Sequence, residues 1–168
     1  MNRMIAVMLV SAVLATAGEA LGKAETHRHP DLPFQFKVFE GWKQVPRPGD
    51  EGTFEMASPN GEVDVMLWYT STEQDARRYI MKMADMKGLE LHRGQQPDTL
   101  QTKHHRMLVY DVTGTILAVI HNGQSRGRPE ENALYITQIS CPREKYEEYR
   151  ELMRDILGAV RVTAEGGP

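Results

Sequence analysis

The sequence predicts an α+β domain, an antiparallel sheet of about six to seven strands flanked by two main helices. Three observations lead there. Short runs of alternating apolar and polar residues recur along the chain. Two other stretches place their apolar residues three and four apart. Turns rich in Gly and Pro separate these segments at hairpin spacing. The 168 residues suffice for one ordinary domain with its own core, and no repeat or linker divides them.

The chain opens on an address. Met4 to Ala17 is almost wholly apolar and follows Arg3, but its uninterrupted part ends near Leu14. That is shorter than the roughly 20 residues of helix a hydrocarbon core requires. Small residues follow in pairs at signal-peptidase spacing: Ala15 with Ala17, Gly18 with Ala20, Gly22 with Ala24. The pattern reads as a secretory signal peptide over residues 1–24, hence a periplasmic or secreted protein. No Cys lies near the cleavage region, so a lipid anchor there is excluded. Residues 25–33, with two prolines, read as a flexible leader, and 163–168 as a flexible tail. The domain itself spans 34–162.

Phe34, Phe36 and Val38 alternate with polar residues, as a half-buried strand does, and Gly41-Trp42 turns the chain. Strand-like runs at 53–58 and 62–69 are joined by Pro59-Asn60-Gly61, a hairpin signal. A helix is expected from Ser71, with Gln74 as its capping-box partner, and Gly88 as its stop. Its apolar face is Ala76, Tyr79, Ile80, Met83 and Ala84. Further strands are expected at 89–92, 106–113, 115–121 and 133–140, with Gly114 in a tight turn and 123–132 as a charged loop. The second helix runs from Pro142 to about Leu157, burying Tyr149, Leu152, Met153, Ile156 and Leu157, and Gly158 ends it. Val160 and Val162 form a short closing strand.

Phe34-Gln-Phe-Lys-Val38 followed by Glu40-Gly-Trp42 resembles the opening strand and Gly-Trp turn of the PsbP-like fold family, which includes the periplasmic DcrB-like proteins. Tyr135 to Pro142 and Ile156 to Arg161 resemble that family's last strand, helix entry and exit. The resemblance covers about residues 33 to 162 and implies an α/β/α sandwich. Family members serve as accessory subunits or partner-binding proteins, and no shared catalytic motif carries over to this chain. Glu40 stands where the family usually has proline.

Composition narrows function by exclusion. A net charge of −3 excludes a strongly basic nucleic-acid binder, and a single Cys excludes an internal disulfide framework. Gly-x-Ser-x-Gly, a phosphate-cradling Gly-rich loop and His-Glu-x-x-His are all absent. Glu130-Glu131 and Glu147-Glu148 are adjacent pairs that do not face one cleft. The first expectation is therefore an exported, non-enzymatic accessory or partner-binding protein, binding a protein or small ligand. It uses neither nucleic acid nor stable membrane insertion after cleavage. Trp42, Trp68 and the loop residues Gln124, Arg126 and Arg128 are its candidate interface, aromatic anchors and an exposed loop being common recognition elements.

Two chemical alternatives stand beside it. Cleavage after Ala24 would expose Glu25-Thr26-His27, whose amine, two amides and imidazole suit square-planar Cu(II) or Ni(II), with His29 as an axial ligand. Cys141, expected at the N-cap of the second helix, would be a thiolate nucleophile served by His104 or His105. The blander reading is a small residue buried at a strand-to-helix junction. His92-Arg93 and Lys103 to Arg106 read as solvated sheet edges, and Met81, Met83 and Met86 diverge around a helix rather than converge on Cu(I).

Overall fold

The computed structural model describes residues 24–29, 32–38, 40–47, 53–89 and 95–163. Residues 1–23 of the expected signal segment, the expected strand residues 90–92 and the end of the tail lie outside them. Among the described residues, ten strands and two α-helices follow in the order β1 (Glu25–Arg28), β2 (Phe34–Val38), β3 (Lys43–Gln44), β4 (Thr53–Ala57), β5 (Asp64–Thr72), α1 (Ala76–Met86), β6 (Asp98–Gln101), β7 (Arg106–Val112), β8 (Thr115–Ser125), β9 (Arg128–Ser140), α2 (Tyr146–Ala159) and β10 (Arg161–Val162). The main sheet has seven antiparallel strands in the order β3-β4-β5-β9-β8-β7-β6, and a second sheet has three, β1-β2-β10. The expected α+β class, a sheet of about seven strands with two main helices, is what the chain forms.

Alternation along the central strands divides the sheet into two faces. On one, Leu67, Ile116, Tyr135 and Ile139 meet Phe34 of β2 and Met153 of α2 in the larger core. On the other, Tyr110, Leu117, Val119, Leu134 and Ile136 meet Ile80 and Ala84 of α1. Each helix therefore buries the stripe that its 3.6-residue period displays. A fully buried side chain of this kind contributes about 1.5–3 kcal/mol by leaving water. Ion pairs and hydroxyls fasten α2 further. The Tyr146 hydroxyl donates to Asp111, and Arg154 Nη2 reaches the same carboxylate at 2.6 Å. Lys145 and the Tyr149 hydroxyl both donate to Glu62, and Asn60 Nδ2 donates to Tyr149 Oη at 3.0 Å.

Several boundaries differ from the expectation, each for a physical reason. Residues 25–28 are not a loose leader but β1, in register with β2 from Glu25 opposite Val38 to Arg28 opposite Gln35. The backbone pairing supplies what the polar side chains do not advertise. Ser71 does not cap α1, because Ser71 and Thr72 continue β5 opposite Ala133 and Asn132. Asp75 is the cap instead, its carboxylate accepting the Arg78 N–H at 2.9 Å. Residues 123–132 are not a loop, since β8 and β9 extend to a two-residue turn at Arg126-Gly127. Leu89, the one described residue of the strand expected at 89–92, is not in a strand, and β6 follows at Asp98–Gln101. The second helix begins with a 3-10 turn at Arg143–Lys145 and runs through Gly158 to Ala159.

Candidate functional site

The long hairpin of β8 and β9 outruns its neighbours. On one side β5 ends with Thr72 opposite Asn132, and on the other the β7 pairing stops at Leu108 opposite Val119. Beyond Asn132, which β5 and β8 share, the two strands pair only with each other, through Ser125 opposite Arg128. Register shifts on either side of Gln124 twist this two-stranded arm. Gly127, with φ of 78°, closes its tip. Gln124, Arg126 and Arg128 are all exposed, so the three loop positions singled out in the sequence come together here.

The arm is braced from its root to the residue before its tip. Tyr69 Oη lies 2.9 Å from Ser125 Oγ, and Ser125 is buried. Ser71 Oγ donates to Glu131, whose carboxylate also takes Arg128 Nη1 at 3.4 Å. The Ser71 hydroxyl, aided by Arg128, holds the Glu131 carboxyl below its ordinary range. Asn132 Nδ2 donates to Gln74 O at 3.1 Å, tying the root to the entry of α1. What projects is thus a stiff support with a polar, exposed end.

The two tryptophans do not join this surface. Trp42 is half-buried against the larger core, beside an apolar crevice lined by Phe36, Met56 and Ile156. Trp68 is half-buried on the opposite face of the sheet, packed with the second core, with Lys87 Nζ 5.5 Å from its ring centre. Their apolar bodies serve packing, as alternation in a strand allows for Trp68. The five candidate interface residues therefore split into one arm and two separate tryptophan positions.

Cys141 lines an open groove of about 220 Å³ with Gly88, Leu89, Thr113, Gly114 and Arg143. It does not cap α2, from which Pro142 and the 3-10 turn separate it. Its N–H instead donates to Gly114 O at 2.9 Å. Burial, reinforced by Glu144, pushes its thiol up, the reverse of what a thiolate nucleophile requires. His104 and His105 precede β7, whereas Cys141 sits by the turn at that strand's far end, about 20 Å away along seven residues of strand. The thiol and the proposed bases are not brought together.

The amino-terminal chelate meets competition from β1. His29 N–H donates to Phe34 O at 3.0 Å, and antiparallel alternation then puts the His27 N–H in the ladder opposite Phe36. A Cu(II) or Ni(II) ion would have to take that nitrogen from β2. The His27 ring stacks on Phe36 with centroids 6.2 Å apart. His29 does not stand in an open axial position, because its ring is buried edge-on to Phe54 and its Nδ1 accepts the Leu32 N–H at 3.0 Å. No group of three or more His, Cys, Asp or Glu among the described residues is arranged to hold a metal. His92 lies outside those residues. Met83 packs against the second core while Met81 and Met86 are exposed, so the three methionines diverge as their spacing requires.

No helix among the described residues is long and apolar enough to cross a membrane. No protein-family model matches the chain, and no curated protein sequence matches it. Among solved structures, it is similar to cyanobacterial PsbP (CyanoP) from Synechocystis sp. PCC 6803 in solution, with 13% identity over 78% of this chain and 87% of that one, at a TM-score of 0.48. It is similar also to a crystal structure from Bacteroides thetaiotaomicron VPI-5482, with 9% identity over 86% of this chain, at a TM-score of 0.48. The chain spans 50% of the length of that second protein.

Proposed function

We propose that this chain is an exported, non-enzymatic accessory or partner-binding protein of the PsbP-like kind, akin to the periplasmic DcrB-like proteins, that meets a protein partner through the β8–β9 arm. One observation carries the reading: the β8–β9 hairpin extends past its neighbours, is braced by Tyr69 and Ser71 of β5, and exposes Gln124, Arg126 and Arg128. A rigid scaffold that presents an exposed polar tip is a common recognition geometry, because little conformational freedom is lost on docking. Export rests on the apolar run and small-residue spacing of residues 1–24.

A photo-crosslinking residue at position 126, expressed in the native host, tests it. The expected result is one protein crosslinked at the arm, and its loss when Gln124→Ala and Arg128→Ala are added. Folding should survive, since exposed substitutions away from buried contacts usually change stability by no more than about 0.5 kcal/mol. Equal crosslinking from Arg78, on the exposed side of α1, or none from the arm, would sink the proposal.

A further inference from the structure

The turn between β6 and β7 is held unusually firmly for an exposed connection. Thr102 Oγ1 donates to His105 O at 3.0 Å and accepts the N–H groups of His104 and His105 at 3.2 and 3.0 Å. The Thr102 N–H also donates to His105 O, at 2.9 Å. With its backbone fixed in this way, His105 sends its ring toward β10, where Nε2 accepts the Val162 N–H at 2.9 Å. A nitrogen that accepts carries no proton, so in this arrangement the ring is neutral with its proton on Nδ1.

The Val162 side chain packs in the larger core, but few backbone bonds tie β10 to the sheet. β10 is two residues long and pairs with β2 through Arg161 opposite Gln35 and Val162 opposite Phe34. One further backbone bond follows, from the Thr163 N–H to Pro33 O at 2.8 Å. On the outer edge of β10 the imidazole stands where a fourth strand would be. It links the small sheet to the edge of the main one.

We infer that His105 is an acid-sensitive latch, which pins the carboxyl-terminal strand to the β6–β7 turn when neutral and releases the Val162 N–H when protonated. The surroundings oppose the charged ring. Burial disfavours it most, and His104 on the same turn and Arg161 on β10 add positive charge; together they hold the imidazole below its ordinary 6.5. Lys103 and Arg106 flank it in sequence. The sign follows from linkage: the unfolded ring takes its proton first as pH falls. The latch is therefore at full strength above about 6.5 and is lost as pH drops through the lower folded value.

Hydrogen exchange of the whole protein followed by NMR reads this directly. Between about pH 7.5 and about pH 5, protection of Val162, corrected for intrinsic exchange, should fall about five- to tenfold, the worth of one hydrogen bond. Amides of β8 and β9 should hold. His105→Gln, whose amide oxygen accepts without titrating, should keep Val162 protected at both pH values. In the unaltered protein the His105 ring nitrogens should report Nε2 as the unprotonated site at the higher pH, which tests the latch even if the variant folds poorly. Undiminished Val162 protection once the ring is protonated would overturn the inference. So would the same pH dependence in His105→Gln, or a proton on Nε2 at the higher pH.

Discussion

Gly114 and Cys141 are bound backbone to backbone, and too closely for a side chain to intervene. The Cys141 N–H donates to Gly114 O, and a Cβ on Gly114 would stand 3.1 Å from Cys141 O and 3.2 Å from Arg143 Cγ. The β7–β8 turn is thus packed against the strand-to-helix junction.

Gly114→Ala should therefore destabilise by about 2–3 kcal/mol, combining a φ of 89° with that contact. Gly127→Ala is the control. Its φ is 78° and nothing lies within 4 Å of the added carbon, so it should lose only about 1 kcal/mol. Urea denaturation of both variants separates strain from collision. Equal losses would mean that the junction yields.

Cys141 should be a slow thiol. Burial and Glu144 push its ionisation up, so folded protein at neutral pH should be alkylated about tenfold or more slowly than a free thiol, and faster once denatured. The pH–rate profile should rise at higher pH than that of an exposed cysteine. Rapid alkylation of the folded chain at pH near 7 would revive the nucleophile reading.

Glu62 should contribute to the acid limb of stability. Lys145, and then Tyr149, hold its carboxyl below the ordinary 4.5. A depressed carboxylate stabilises the fold above its unfolded value and loses that contribution as pH falls through the folded one. Glu62→Gln should thus flatten the decline of melting temperature below about pH 4.5. An unchanged slope would show that the contact between Glu62 and α2 does not form in solution.

Much of the scaffold was legible in the residues themselves. Ile80, Ala84, Met153, Ile156 and Leu157 declare their helical stripes by spacing, and each is buried. The hairpin turn at Gly114 needs a positive φ and has one. What escaped was structure made by backbone pairing without an apolar face. β1 reads Glu-Thr-His-Arg and the arm carries polar residues on both sides, so neither shows alternation. Ser71 and Thr72 look like a helix start because hydroxyls cap helices, yet their neighbours on β9 draw them into the sheet. The residues of the arm read as a charged loop, whereas they form paired strands. The two histidines that accept backbone N–H groups, His29 and His105, give no sequence signal, since their partners lie on turns and strands that only the fold assembles.

The order of strands has a consequence for how the chain is built. Every neighbouring pair in the main sheet is consecutive in sequence except β5 with β9, which lie side by side at its centre. During synthesis from the amino end, β3, β4 and β5 emerge without the strand that will bind them, and α1 emerges before Leu134 and Ile136 beneath it. Closing that pairing spans a long loop and so costs chain entropy before it returns contacts. β9, made after all the other strands of the main sheet and after α1, is the seam that joins the two halves of that sheet. A chain interrupted before Arg128 is left as two unjoined sets of strands with open edges, the kind of surface on which chains aggregate.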